Sequence, residues 1–327
     1  MKPFRPLVAL AVDGGGIRGV IVARALAMLE EALGRPCHEI FRLTAGTSTG
    51  AILAAGVAAG LTGQQMYGLY CALGPVVFRR SWRSALWPLT RYRYPHAPLL
   101  SALRGQLGDR RMGDFWSADP RTDVVITAFD LVENRTRFIK PWKEEYASWR
   151  VVKAVLASCS IPTVFPPVDG RYVDGGVGSY ANPCYLAAYE ARFCLGWPAE
   201  ETTLISLGTG RCPRSIRPGQ ADRFFPWEWL GPVLGAFLQS ADDQQVHLVR
   251  TFFQQLDFRR FQVDLREGIG ADDYQRIPEL TAYGEALGRK ILNDETDAAL
   301  EVVAQAVEQA RKGARRKRSG RRAPGGT

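Results

Sequence analysis

The sequence predicts an α/β fold, a three-layer α/β/α sandwich around a mostly parallel central sheet. Short apolar segments rich in β-branched residues recur along the chain, and segments with helical spacing of apolar residues lie between them. The short segments are apolar throughout, which is typical of parallel strands covered by helices on both faces. This alternation of strand and helix therefore favours a doubly wound sheet.

The predicted elements follow in chain order. Strands are predicted at Leu7–Val12, Ile40–Ala45, Val124–Phe129 and Thr203–Leu207, and a short strand is predicted to end at Asp174. Helices are predicted at Val20–Leu33, Ala51–Ala59, Ala181–Phe193, Trp229–Phe253 and Pro278–Arg311. We expect the last helix to pack outside the sheet.

Length and composition favour one domain. No internal repeat or low-complexity linker interrupts residues 1–310, so we predict a single domain with a motif-bearing core at about 6–210 and a helical part at 211–310. No apolar segment approaches the roughly 20 residues of a membrane-spanning helix. The apolar run Leu7–Val12 is too short for a signal peptide. We therefore expect a cytoplasmic protein.

The net charge of +9 is concentrated at the C-terminus. Residues 311–327 carry eight Lys or Arg and no acid, whereas the remainder has 34 bases and 33 acids. We predict that this basic tail is disordered because it contains almost no apolar residues. It could contact anionic lipid or nucleic acid, or only keep the chain in solution. Of these partners, nucleic acid is the less favoured.

Cysteine and histidine usage predicts neither a metal site nor a cofactor. The six cysteines form no CxxC pair, and three isolated histidines provide no ligand cluster. Buried, reduced thiols are therefore expected.

Two segments are rich in aromatic residues. Residues 78–100 interleave arginines with Trp82, Trp87, Tyr92 and Tyr94. Such a segment suits a membrane interface, single-stranded nucleic acid, or a helical cap with solvated arginines. The second segment, Phe224–Leu238, could be core or one side of a lipid-facing opening.

A glycine-rich loop, Asp13–Gly19, follows the first strand and opens the first helix. Its backbone N–H groups can hold an anion at the helix N-terminus. Gly14, Gly16 and Gly19 also fit a dinucleotide fingerprint, which requires an acid at the end of the second strand. Glu39 instead precedes that strand, so the dinucleotide alternative is disfavoured.

Ser48 lies between Gly46 and Gly50, after a strand and before a helix of small residues. This context is typical of a nucleophile elbow, a sharp turn that exposes the serine Oγ. A helix N-cap serine would explain the pattern nearly as well.

A serine nucleophile needs a base, and Asp174 is the best candidate. Of the three histidines, only His247 fits the chain order Ser, acid, His, and it lies in a helical segment. Asp174 ends a strand at a tight Asp-Gly-Gly turn, which could be merely structural. The residues together favour a Ser48–Asp174 dyad.

These motifs together resemble the patatin-like phospholipase family. The family's D-G-G-G-x-R-G, G-x-S-x-G and D-G-G motifs appear here as Asp13–Gly19, Gly46–Gly50 and Asp174–Gly176. Ala157–Val168 and Asn182-Pro183 are similar to the family's segments before and after the aspartate. The resemblance covers roughly residues 6 to 210.

The resemblance implies an acyl hydrolase that needs neither histidine nor calcium. It assigns Ser48 as nucleophile, Asp174 as base, and the N–H groups of Gly15, Gly16 and Thr49 as the oxyanion hole. Arg18 is expected to orient the loop or add positive potential, and Asp13 to maintain loop geometry. Supporting roles are expected for Gly14, Gly46, Gly50 and Gly175.

Phospholipid, or another acyl-ester lipid, is the substrate class that this resemblance implies. We expect peripheral contact with an anionic membrane surface when the enzyme is active. The same dyad could serve an acyltransferase or a lysophospholipase. A non-catalytic anion- or nucleic-acid-binding protein is the alternative from a different class.

Overall fold

The computed structural model describes residues 1–81, 84, 86, 89–117, 122–212, 216–217 and 219–297. Within this part of the chain, seven strands form one mixed sheet. The strands are β1 (Leu7–Val12), β2 (Leu43–Gly46), β3 (Asp123–Asp130), β4 (Arg135–Ile139), β5 (Tyr172–Asp174), β6 (Thr202–Leu207) and β7 (Asp257–Phe261).

The sheet order is β4-β3-β2-β1-β6-β7, with β5 also pairing with β3. Strands β3, β2, β1, β6 and β7 pair in parallel, each with the next, whereas β4 and β5 pair antiparallel with β3. Val12 at the end of β1 is in register with Gly46 of β2 and Leu207 of β6. The carboxyl ends of these strands therefore meet at one edge, where parallel α/β sheets place their sites.

The helices lie on both faces of the sheet, which confirms the three-layer prediction. They are α1 (Gly19–Leu33), α2 (Cys37–Ile40), α3 (Thr49–Ala58), α4 (Gly63–Val77), α5 (Ala97–Leu107), α6 (Met112–Ser117), α7 (Glu144–Ala147), α8 (Val151–Ser158), α9 (Cys184–Tyr189), α10 (Leu230–Phe252) and α11 (Ile277–Leu292).

Alternate residues of β1 show how the two cores form. Leu10 and Val12 belong to one buried cluster, with α1, α3, α4, α5, α8 and α11. Ala9 and Ala11 belong to another, with α9 and the C-terminal half of α10. Since successive strand residues point to opposite faces, a strand covered on both sides must be apolar throughout.

The structure changes several predicted boundaries. The predicted strand Ile40–Ala45 is wrong at its start, because Ile40 closes helix α2 and β2 begins at Leu43. Asn182 Oδ1 accepts a hydrogen bond from the Cys184 N–H at 2.9 Å, so α9 starts at Cys184 rather than Ala181. After Tyr189 the chain forms a π-helical turn, Glu190–Cys194.

The predicted continuous helix Pro278–Arg311 is wrong, because α11 ends at Leu292 and residues 293–297 are not helical. Helix α11 packs against α1 outside the sheet as expected. Residues 298–327, including the basic tail, lie outside the described residues.

Strands β4 and β7 were not predicted from the sequence. Both strands carry several charged residues, such as Arg135 and Arg137 in β4 and Arg259 and Arg260 in β7. Arg137, Arg259 and Arg260 are nevertheless buried because carboxylates pair with them.

The cysteines follow the predicted pattern only in part. Cys37, Cys159 and Cys184 are buried free thiols, but Cys194 is exposed and Cys71 and Cys212 are half-buried. No helix within the described ranges is long and apolar enough to cross a membrane.

Candidate active site

Ser48 lies at a strand-to-helix elbow. Strand β2 ends at Gly46 and α3 begins at Thr49, which leaves Ser48 at φ 56° and ψ −124°, an unusual backbone conformation for a non-glycine residue. A Cβ on Gly46 would collide with the Gly50 carbonyl, and one on Gly50 with the Val12 carbonyl. Both glycines are therefore required by close backbone approach rather than by flexibility.

Two side chains at the end of α8 hold the strained elbow. The Ser48 N–H donates to Ser158 Oγ at 2.8 Å, and the Cys159 thiol donates to the Ser48 carbonyl at 3.1 Å. Strain of this kind persists where surrounding contacts over-determine the conformation. Sequence reasoning assigned these two residues no role, although they lie in the Ala157–Val168 segment.

Asp174 ends β5 next to Ser48. Its N–H donates to the Ser160 carbonyl at 3.0 Å, and its Oδ1 accepts from the Gly176 N–H at 2.8 Å. Burial raises the pKa of Asp174 to about 6, against hydrogen bonds from the Ser48 side chain and the Gly176 N–H. The structure thus brings together the two predicted residues, although they are far apart in sequence.

The glycine-rich loop folds against the elbow. The Gly14 N–H donates to the Ala181 carbonyl at 2.8 Å, and a Cβ on Gly14 would lie 3.3 Å from Ser48 Cβ. Gly16 has φ 59° and packs so closely on Ala271 that a side chain would clash there.

Three backbone N–H groups of the elbow and the glycine loop are candidate donors to a ligand. Among the described residues, none accepts a hydrogen bond from the N–H of Gly15, Gly16 or Thr49. Thr49 is the first residue of α3, so its N–H also lies at the positive end of that helix. Such an arrangement can stabilise a developing negative charge.

Arg18 contacts the glycine loop. Its half-buried side chain donates from Nε to the Gly15 carbonyl at 3.2 Å and from Nη1 to the Gly210 carbonyl at 3.0 Å. Burial lowers the pKa of this guanidinium from its usual value. Of the two expected roles, these contacts support the orienting one.

Asp13 is held by a buried arginine from β7. Arg260 binds both Asp13 carboxylate oxygens, at 2.8 and 2.5 Å, and also donates to Ser206 Oγ at 2.9 Å. A second carboxylate, Asp242 on α10, lies 3.1 Å from Arg260. Although burial disfavours its charged form, these carboxylates raise the pKa of Arg260 above its usual value. Asp13 is therefore held in a buried ion pair, and its role in loop geometry stays a prediction.

An apolar cavity opens at Ser48. It contains about 600 Å³ of empty space between α3, α4, α5 and residues 159–165. Aliphatic and aromatic side chains line it, including Ile52, Leu69, Leu73, Phe78, Leu103 and Phe165. Part of this space is open to solvent, and the lining suits a hydrocarbon chain.

No histidine takes the base position. His247 is exposed on α10, where its Nε2 lies 3.4 Å from Thr251 Oγ1. His96 instead contacts Ser160 Oγ through Nε2 at 3.0 Å and stacks on Phe165. Glu39, the acid considered for a dinucleotide site, pairs with Arg35 at 3.6 Å. In the described part of the chain, no cluster of His, Cys, Asp or Glu could hold a metal ion.

The aromatic segments take different positions. Phe78 and Tyr94 are buried and pack edge to face, while Arg79 and Arg80 are exposed. Trp82 and Trp87 lie outside the described residues. In the second segment, Trp229 and Phe237 are exposed, so the core interpretation is wrong for them.

Comparison with known proteins gives a consistent result. The model of a family described as patatin-like phospholipase matches residues 10–188. A cGAMP-activated phospholipase of Pseudomonas aeruginosa is 29% identical over 267 residues, which cover 78% of this chain and 77% of that protein. An intracellular phospholipase A2 of Caenorhabditis elegans is 28% identical over 63% of this chain, but this chain spans only 20% of that protein.

Among solved structures, VipD from Legionella pneumophila aligns with a TM-score of 0.39 at 12% identity. The alignment covers 86% of this chain and 67% of the VipD chain.

Proposed function

Because this chain belongs to the patatin-like phospholipase family and is therefore a lipid acyl hydrolase, we propose that Ser48 and Asp174 form its catalytic dyad. The observation that carries the proposal is the position of Ser48. It lies on a strained elbow beside a buried carboxylate, next to the glycine loop, and lines an apolar cavity. We further propose that the substrates are fatty-acyl esters of membrane phospholipids.

In the first half of the reaction, Asp174 takes the Ser48 hydroxyl proton as Oγ attacks the ester carbonyl carbon. The N–H groups of Gly15, Gly16 and Thr49 donate to the resulting oxyanion, and each such donor is typically worth about 2.7–4 kcal/mol. Asp174 then returns the proton to the leaving alcohol. The acyl group remains on Ser48 as an ester.

In the second half, Asp174 takes a proton from water while the water oxygen attacks the acyl-enzyme carbonyl. The same N–H groups bind the second oxyanion. When the bond to Ser48 breaks, Asp174 returns its proton to Oγ and the fatty acid leaves. A base with a pKa of about 6 is mostly ionised at neutral pH and still able to accept the proton.

The apolar cavity is proposed to hold the acyl chain. Its lining comes from α3, α4, α5 and residues 159–165 and includes Ser48, so apolar side chains would surround the carbons beyond an ester carbonyl at Ser48. Removing a hydrocarbon chain from water favours binding by about 0.8 kcal/mol per buried CH₂.

The rim of this cavity is proposed to contact the membrane peripherally. Val77 and Phe78 line the cavity, and beside them Val76 is 52% exposed while Arg79 and Arg80 face solvent. Leu89 farther along is 87% exposed. Apolar side chains next to arginines suit the headgroup region of an anionic bilayer.

Lipid profiling of vesicles tests this function. Phosphatidylcholine–phosphatidylglycerol vesicles incubated with the wild-type protein should yield free fatty acid and lysophospholipid, and Ser48→Ala should yield neither. Addition of excess lysolipid separates hydrolysis from acyl transfer, because transfer would regenerate diacyl lipid. Equal fatty-acid release by the two proteins would overturn the assignment of Ser48.

A further inference from the structure

Helix α10 divides into two halves with opposite environments. In its C-terminal half, Ala241, Val246 and Val249 are buried against the sheet. In its N-terminal half, Val233 is 55% and Phe237 is 53% exposed. An apolar helix segment is normally buried, so this half has the character of a docking surface.

The exposed half is also free of charge. The sequence from Trp229 to Ala241 contains no acidic or basic residue, and Glu228 and Asp242 bound this stretch. Trp229, Val233 and Phe237 recur every four residues and therefore share one side of the helix. We call these three residues the α10 stripe.

The residues that follow the α10 stripe are connected by contacts to the glycine loop. Asp242, one residue beyond the uncharged stretch, accepts from Asn182 Nδ2 at 2.6 Å and pairs with Arg260, which also binds Asp13. Ala181, next to Asn182, accepts the Gly14 N–H. The anchored end of the stripe is therefore connected by direct contacts to the loop that faces Ser48.

We propose that the N-terminal half of α10 inserts into the lipid surface that supplies the substrate. The inference rests on the proposed function, because the argument for a bilayer as occupant is continuity with a site that acts on membrane lipid. The twelve residues from Trp229 to Ser240 would extend about 18 Å as a helix. That length is well short of the roughly 30 Å hydrocarbon core, so the segment lies in the interface instead of crossing it.

The residue types agree with this placement. Trp229 at the start of the helix is exposed, and tryptophan is enriched at the boundary between headgroups and hydrocarbon. Val233 and Phe237 follow as side chains that gain from leaving water. Glu228 and Asp242 mark the ends of the stretch that can enter an apolar phase without burying a carboxylate.

A vesicle-flotation assay tests this inference separately from catalysis. All proteins carry Ser48→Ala, so binding is measured without turnover and without reliance on hydrolysis. The test variant combines Val233→Ser with Phe237→Ser. The matched control is Phe252→Ser, which removes a 68% exposed phenylalanine from the other end of the same helix.

The double variant should bind phosphatidylcholine–phosphatidylglycerol vesicles about tenfold more weakly, and Phe252→Ser should bind like the parent. Circular dichroism should show the same fold in all three, because the replaced side chains are exposed. Equal vesicle binding by parent and double variant would overturn the inference. So would a change from dimer to monomer in sedimentation with vesicle binding unchanged, since a second copy would then cover the stripe.

Discussion

Two strand-end aspartates, Asp13 and Asp174, are followed by three and two glycines respectively, and the structure gives them different partners. Arg260 binds both oxygens of Asp13, so that carboxylate is fully engaged in an ion pair. Asp174 has no ion-pair partner among the described residues, and its acceptors serve the Gly176 N–H and the Ser48 side chain. Both carboxylates are buried.

On the proposed mechanism, the surroundings in the folded protein, and not the local sequence, separate the carboxylate that acts as a base from the one that acts structurally. Burial raises the pKa of both groups, to about 7 at Asp13 against the charge of Arg260 and to about 6 at Asp174 against hydrogen-bond donors alone. The position of Asp174 beside the Ser48 side chain therefore distinguishes it, and on the proposed mechanism it exchanges a proton there. Asp13 instead contacts Arg260 at the start of the glycine loop.

The largest effect should come from removing the carboxylate of Asp174, the proposed base. Asp174→Ala should lower phospholipid hydrolysis by about 10³-fold or more, because Ser48 then lacks its base. The rate of fatty-acid release under saturating vesicles measures the change. His247→Ala is the matched control and should retain wild-type activity, since that imidazole is exposed away from the elbow. A loss in His247→Ala comparable to that in Asp174→Ala would restore a histidine triad.

The next largest effect should be on stability and concerns the ion pair between Asp13 and Arg260. Arg260→Met should destabilise the fold by about 3–5 kcal/mol, because it leaves Asp13 and Asp242 buried without their cation. Urea unfolding measures the loss. Adding Asp13→Asn to Arg260→Met should recover at least about 1 kcal/mol, since one uncompensated charge is removed. Additive destabilisation in the double variant would show that the pair is not coupled.

A smaller effect concerns the contribution of Asp174 to the free energy of unfolding. Its pKa is raised from 3.8 to about 6, so the folded state disfavours the ionised form. The resulting loss of folding free energy is complete above about pH 6 and disappears below about pH 4, where the carboxyl is protonated in both the folded and the unfolded state. Asp174→Asn should therefore be about 1–3 kcal/mol more stable than wild type at pH 8, with no gain at pH 4. Urea unfolding at the two pH values measures this, and a gain independent of pH would contradict ionisation of the buried carboxyl as its cause.

The sequence predicted the elements that apolar pattern and glycine spacing define. Strand β1 has the predicted bounds, Leu7–Val12, and the Ser48 elbow lies between strand and helix as expected. These features depend on local sterics, such as the contact of Gly50 with the Val12 backbone. A motif with fixed spacing reflects such local steric constraints, so it can be recognised in the sequence.

The remaining features depend on contacts between distant residues. Arg260 is 247 positions from Asp13, and its strand β7 has no apolar pattern because buried ion pairs replace hydrophobic contacts. The hydrogen bond from the Ser48 N–H to Ser158 Oγ joins residues 110 positions apart. The environment that raises the pKa of Asp174 likewise forms only in the folded protein. A single-domain organisation stays a prediction.

The most direct test of the dyad is the rate at which a fluorophosphonate labels Ser48 as pH is varied. Peptide mass spectrometry should locate the adduct on Ser48, and the rate should rise with pH through about 6 and then level off, as Asp174 ionises. In Asp174→Asn the rate should fall about 10³-fold and lose this pH dependence. Labelling at another residue, or an unchanged rate in Asp174→Asn, would contradict the account.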